Sequence, residues 1–428
     1  MQAQALPGFR DFYPPEAALR NHIFAVWREV AARYGFQEYD GPPLEPLELY
    51  TEKSGDEIVA QLYHFEDKGG RQVALRPEMT PTLARMVAAR VRGLKKPIRW
   101  FSLPQLFRYE RQQRGRLREH FQLNMDILGE PGPLADAEII AAAVDILRSL
   151  GFGPDAIRVR LSDRRVVQAL LADAGVTADQ LPLAYAAIDK VEREPRAVLA
   201  DRLGAAGLSP SAVERALDIG GLRGRTAVES ALSAVRGGED TGEPLLACAS
   251  ALEAMDLGAF VEFDLSIVRG LAYYTGVVFE LFDTGKSLRA ICGGGRYDGL
   301  LDAIGGEQLP ATGFGMGDVV LGELLASRHA APAVTGADVF LVAVTAADLD
   351  PVLRLAHRLR DQGARVEFAL KPQGVAKQLT LAAARGATRA VLVGPDERAA
   401  GAALVRSLTD GSETRMSFDG LTDALAPT

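Results

Sequence analysis

The chain has 428 residues, 48% of them hydrophobic and 24% charged, with a formal net charge of -8 at pH 7. That length is too great for one compact core and predicts two or three domains, while the absence of any long uncharged apolar run excludes a membrane span. The acidic balance taken alone argues against nucleic acid, and Met1 to Arg10 holds no basic stretch leading into an apolar one, so no secretory signal is read and a cytoplasmic location is expected.

Residues 16 to 34 carry a helical pattern, with Ala18, His22, Ala25, Val26, Val30 and Tyr34 on one side and Gly35 as the stop. Pro42 and Pro43 then force an extended path. Aromatic residues crowd the chain before residue 131, interleaved with β-branched and turn residues, which is the composition of a sheet. Within that region five arginines (Arg108, Arg111, Arg114, Arg116, Arg118) stand against two glutamates (Glu110, Glu119), a local balance of +3 in an acidic chain. Guanidinium groups grip phosphate in a planar, two-pronged way that lysine cannot copy, and this run holds no lysine. The other reading of the run is a solvated charged turn.

An alanine-rich helix is predicted from Leu134 to about Leu150, ended by Gly151-Phe152-Gly153. From about 164 to 257 Tyr185 is the only aromatic residue, and Ala, Leu, Asp, Arg and Val at helical spacing predict a helical insertion. Strand composition returns at Phe260 to Leu265, Tyr273 to Phe282, Ala290 to Cys292 and Thr312 to Gly317, so the two strand-rich blocks are expected to share one sheet. The segment Val268 to Gly276 places Arg269 four residues before Tyr273 and Tyr274 and then breaks at glycine. Regular strand alternation would set Arg269 and one tyrosine on the same face, either as a substrate pocket or as an ordinary amphipathic strand. Thr284-Gly285-Lys286-Ser287 imitates the tail of a phosphate loop, but Glu280 occupies the place of its first glycine and would repel an anion.

Residues 327 to 337 read as a linker. Beyond them strand Val339 to Val344, helix Leu349 to Gln362, strand Arg365 to Phe368, helix Val375 to Arg385 and strand Ala390 to Val393 alternate, predicting a small α/β domain with parallel strands. Cys248 and Cys292 lie far apart without a CxxC, and the five histidines (His22, His64, His120, His329, His357) form no HExxH, so neither zinc nor a disulfide is expected.

Five segments carry the chemistry. They are Arg76-Pro77-Glu78-Met79-Thr80, Phe107-Arg108-Tyr109-Glu110-Arg111, Gln122-Leu123-Asn124-Met125-Asp126, the Arg269 to Gly276 segment, and Gly293-Gly294-Gly295-Arg296-Tyr297-Asp298 with Gly313-Phe314-Gly315-Met316-Gly317. In this order they resemble the catalytic domain of the histidyl-tRNA synthetases, a class II aminoacyl-tRNA synthetase family. The resemblance runs from about Gly8 to the end of the chain. It implies an α+β catalytic domain on an antiparallel sheet (1–326, with the helical insertion at about 164–257), the linker 327–337, and a small α/β anticodon-binding-like domain (338–428).

It also implies an activity: ATP-dependent activation of L-histidine and transfer to tRNA-His, with Mg2+ accompanying ATP and neither zinc nor an organic cofactor. Joining a carboxylate to the α-phosphate brings two anions together, which is what arginines can neutralise. By resemblance Arg108 bridges the α-phosphate and the substrate carboxylate, Glu110 contacts adenine, Arg116 reaches the outer phosphates, and Arg269 takes the catalytic place beside the α-phosphate. Glu78, Met79, Thr80, Gln122, Asp126, Tyr273, Tyr274 and Tyr297 match the histidine-binding segments, together with Arg108 and Arg269, and His120 falls at the adenine-stacking position. The first helix with Gly35 and Pro42 resembles the motif that forms a dimer interface, so a homodimer is implied.

Departures from the family pattern are local. Val320, in Gly317-Asp318-Val319-Val320, replaces the arginine that usually holds the γ-phosphate, a loss worth roughly 3 kcal/mol if nothing compensates. Asp126 stands for a glutamate, Ala272 for an aspartate, and His120-Phe121 inverts the common order. Arg114 or Arg118 is expected to supply the missing charge. A histidine-sensing regulatory subunit of ATP phosphoribosyltransferase shares the fold and is the alternative reading. Such subunits typically lack an anticodon-binding domain, whereas Lys371, Lys377-Gln378-Leu379 and Arg385-Gly386-Ala387 resemble parts of one.

Overall fold

A computed structural model describes residues 4–51, 59–110, 115–268, 273–285, 289–303, 308–328 and 336–425. The chain divides into two compact units, Met1–Pro332 and Ala333–Thr428.

In the first unit the strands are, in chain order, β1 (Gln37–Glu38), β2 (Leu44–Pro46), β3 (Tyr63–Glu66), β4 (Gln72–Leu75), β5 (Ile98–Ser102), β6 (Gln105–Phe107), β7 (Glu119–Leu128), β8 (Ile157–Asp163), β9 (Val261–Phe263), β10 (Val277–Asp283), β11 (Cys292–Arg296) and β12 (Ala311–Gly317). Nine of them form one sheet, ordered β1-β5-β7-β12-β11-β10-β8-β9 with β6 alongside β7. Its pairs are antiparallel apart from β1–β5 and β8–β9 at the two edges. The two strand-rich blocks therefore share a sheet, because β12 lies directly against β7. A second sheet, β2-β4-β3, stands apart.

Alternation along β7 divides the sheet into two faces. Leu123, Met125 and Ile127 are buried in the main core against the helix Pro133–Ser149, while Gln122, Asn124 and Asp126 point the other way into a cleft. That helix starts with proline in its first turn and ends in Arg148; Gly151 follows at φ +88°, a conformation open to glycine at little cost. Its residues from Ile139 to Val144 are wholly buried, being covered by the sheet on one side and by the helix Gly238–Ala254 on the other. The described part of 164–257 is helical from Arg164 to Ala254 apart from its turns. Its Leu199, Leu217, Leu245 and Leu252 join the same apolar core as the sheet.

Two strand expectations change. β10 begins at Val277, so Tyr273 and Tyr274 precede the strand instead of lying in it. Gly276 turns the chain there, and a Cβ on it would meet Arg296 Cδ at 3.1 Å. Arg269 and Ala272 lie outside the described residues. β8 was not expected at all; its Arg158 and Arg160 alternate with buried Ile157, Val159 and Leu161, so the apolar half of the pattern is only three residues long and is interrupted by charge.

The second unit carries β13 (Val339–Ala343), β14 (Val366–Phe368), β15 (Arg389–Val393), β16 (Ala402–Ser407) and β17 (Glu413–Ser417). They are ordered β14-β13-β15-β16-β17. The first three are parallel, as the βαβ alternation predicts, but β16 and β17 add an antiparallel hairpin. An exposed, polar β17 leaves no apolar signal to read. Gln378 is buried and donates to Ala343 O and Gln373 O, both at 2.8 Å, so it braces this unit from inside. Among the described residues no helix is long and apolar enough to cross a membrane.

Candidate active site

The cleft on the open face of the large sheet has a volume of about 890 Å³. Its floor is made of β7, β12 and β11, where Gly313 pairs with Asp126, Gly315 with Asn124 and Gly317 with Gln122. Gly313 and Gly315 are required by close approach. A Cβ on Gly313 would fall 2.0 Å from Asp126 Oδ1, and one on Gly315 would fall 2.8 Å from the Gln122 side chain. Glycine on β12 thus lets the polar side chains of β7 lie across it.

One end of the cleft is rich in acceptors. Asp126 is buried and accepts the Tyr297 hydroxyl at 2.5 Å. Burial pushes its carboxyl up to about 7, only partly offset by that hydrogen bond. Tyr297 is itself raised, by burial and then by Asp126. Tyr273 donates to Glu78 at 3.3 Å and meets Tyr297 edge-on. Glu78 is presented by a braced turn: Arg76 is buried and donates to Gly41 O at 2.7 Å, Asp40 at 3.0 Å and Gln105 O at 3.1 Å. Thr80 then opens the helix Thr80–Ala88. A group with several N–H donors would find acceptors here, whereas an apolar one would offer these carboxylates no further hydrogen bond.

The other end is rich in cations. Arg108 is anchored by its Nε on Pro77 O at 2.9 Å, and its Nη1 stands 3.9 Å from Glu110. Arg116 pairs with the second oxygen of Glu110 at 2.8 Å. His120 lies beside them, and burial, then Arg108, Arg10 and Arg116, push its imidazole down to about 3. It is neutral throughout the physiological range and offers a flat uncharged ring. Beneath it Arg10 donates to Glu119 at 2.6 Å and to Asp318 at 2.9 Å, tying the start of β7 to the helix Asp318–Ser327.

Of the residues singled out in the sequence, Glu78, Thr80, Arg108, Glu110, Arg116, His120, Gln122, Asp126, Tyr273, Tyr274 and Tyr297 all line this cleft. Met79 does not: it is 1% exposed and sits at the N-cap of the helix Thr80–Ala88 with its side chain in the interior. Arg269 and Arg114 fall outside the described residues. Arg118 is placed elsewhere, with its guanidinium 4.1 Å above the Tyr109 ring and its Nε donating to Glu110 O. Val320 lines the cleft as an apolar side chain. Sequence reading missed Arg289, Asn124 and the Arg10 pair with Asp318. Asn124 was legible in principle from its spacing between Gln122 and Asp126; the other two are brought in by topology. Among the described residues no group of three or more His, Cys, Asp or Glu is placed to hold a metal ion.

Comparison with known proteins agrees with this geometry. Residues 8–317 match the family model for histidyl-tRNA synthetase, and residues 338–427 match the model for an anticodon binding domain. A histidine–tRNA ligase of Opitutus terrae is 46% identical over 96% of this chain and 95% of its own length. The chloroplastic/mitochondrial histidine–tRNA ligase of Arabidopsis thaliana is 40% identical over 97% of this chain and 85% of its own. A histidyl-tRNA synthetase structure from a Nostoc species superposes with a TM-score of 0.86, covering 99% of both chains at 24% identity, a likeness of fold.

Proposed function

This chain belongs to the histidyl-tRNA synthetase family, and we propose that the cleft of its first unit is where L-histidine and ATP form histidyl-adenylate. The overall reaction is that of a class II histidine–tRNA ligase: ATP, L-histidine and tRNA-His give histidyl-tRNA, AMP and diphosphate. The observation that carries the site reading is one cleft with two chemically opposite ends, acceptors at Glu78 and Asp126 and cations at Arg108 and Arg116.

In this reading the histidine ammonium lies by Glu78 and Thr80, and its imidazole lies between Asp126, Tyr297, Tyr273, Tyr274 and Gln122. Arg108 spans the substrate carboxylate and the α-phosphate. Glu110 meets the adenine amino group, His120 stacks on the ring, and Arg116 reaches the outer phosphates. Arg269, outside the described residues, keeps the catalytic place beside the α-phosphate that the family resemblance implies. Mg2+ enters with ATP, the second unit binds tRNA, and the protein works as a cytoplasmic homodimer. The regulatory-subunit reading is not favoured: the curated relatives are ligases over nearly the whole chain, and residues 338–427 match an anticodon binding domain.

The test is histidine-dependent exchange of labelled diphosphate into ATP, followed by charging of total tRNA. Exchange and charging together support the proposal; no exchange ends it, and exchange without charging limits it to adenylation.

A pH dependence follows from Asp126. With its carboxyl near 7, it is an acceptor for an imidazole N–H above that pH and is protonated below it. The KM for histidine should therefore rise as pH falls from 8 to 6, more steeply than the substrate's own titration near about 6.5 accounts for. Asp126→Asn should remove that extra component. For stability the sign is opposite. A carboxyl raised above its unfolded value stabilises the ligand-free fold at low pH, and that contribution is lost as pH rises through about 7. A histidine KM profile with the same slope in wild type and Asp126→Asn would refute the assignment.

A further inference from the structure

We propose that Arg289 is an ATP-binding residue that holds the outer phosphates together with Arg116, entering from the connection between β10 and β11. The proposal rests on the ATP reading above and deepens it. Arg289 lines the cleft at its cationic end, beside Gly115, Arg116, Val319 and Val320. Three elements meet at one point there. A Cβ built on Gly115 would lie 3.3 Å from Val320 Cγ2 and 3.9 Å from Arg289 Cδ, so the stem of Arg289 and the Val320 side chain both approach this bare glycine. That turn is anchored, since Gly115 N donates to Glu323 at 3.2 Å on the helix that also carries Val320. The apolar Val320 brings no charge to the cleft, and the exposed Arg289 does.

Arg289 lies within the field of other cations. Its guanidinium is held below its ordinary value by burial and by the charge of Arg116, with Arg193 adding to the effect and Glu110 opposing it. Glu110 already faces both Arg108 and Arg116. Like charges gathered in a cleft repel, and a polyphosphate would bridge them through two-pronged contacts. Arg118, expected from sequence to supply this charge, is turned onto Tyr109.

The experiment uses the full-length protein and Arg289→Gln, measuring in the exchange assay the KM for ATP, the KM for histidine and inhibition by AMP. The expected result is an ATP KM raised about ten- to a hundredfold, the range for a lost charge-assisted contact. Histidine KM and AMP inhibition should stay within about twofold, because AMP carries no outer phosphates. An unchanged ATP KM would overturn the proposal, and so would an equal weakening of ATP and AMP, which would place Arg289 at the nucleoside. A wild-type protein without exchange would instead overturn the function on which the proposal rests.

Discussion

Replacing Arg108 with alanine should lower histidine-dependent exchange of diphosphate into ATP by about two to three orders of magnitude, the effect of removing one preorganised charge at a reacting centre. The reason lies in how the side chain is held. Its Nε is already bonded to Pro77 O, its backbone N–H donates to Arg118 O at 2.9 Å, and Glu110 stands beside its outer nitrogens. The planar group is therefore held in place by the protein itself, and under the proposed function it would need no reorganisation as charge builds on the α-phosphate. Arg108→Lys should recover little, since an ammonium cannot bond Pro77 O and two anions in one plane. Arg118→Ala serves as the control: the same charge is removed from the same strand connection, but from a side chain stacked on Tyr109. It should lose no more than a few fold. An Arg108→Ala protein that exchanges within a few fold of wild type would contradict the role.

The second large effect is on stability. Arg296 and Asp136 are each 3% exposed at the side chain and bonded through two nitrogens at 3.0 and 2.8 Å. The remaining donors of Arg296 go to Glu130 O, Gly132 O and, at 3.2 Å, Asp298 Oδ1, so one guanidinium ties β11 to the start of the helix Pro133–Ser149. Burial raises the Asp136 carboxyl even with Arg296 beside it, which means desolvation outweighs the attraction. Such a pair need not stabilise the fold relative to apolar residues, yet removing one partner strands the other charge. Arg296→Ala should therefore cost about 3–5 kcal/mol. The double variant Arg296→Leu with Asp136→Leu should cost less than the single one. Denaturant unfolding of the first unit measures both, and a single variant with an unshifted midpoint would show the pair to be dispensable. Because Tyr297 follows Arg296 directly, Arg296→Ala should also raise the histidine KM.

Much of the architecture could be read in advance because it rests on period. The first helix, the helix after Pro133, the helical tract and the alternating units of the second domain all bury an apolar stripe at 3.6-residue spacing or an apolar strand. β8 and the β16–β17 hairpin escaped because arginines or exposed polar residues dilute that stripe. Met79 was grouped with its neighbours by motif, but at the N-cap of its helix it is buried in the core.

The same division holds for the site. Sequence alone singled out the residues: Glu78, Arg108, Glu110, Arg116, Gln122, Asp126 and the tyrosines stand in short motifs with a set spacing, and all of them line one cleft. Only the tertiary structure decided which ends of the cleft they occupy, that glycines on β12 make the room for Asp126 and Gln122, and that Arg289 lines the cleft while Arg118 turns onto Tyr109. Those outcomes depend on contacts between residues far apart in the chain. Strand order and register set such contacts, and no local spacing records them.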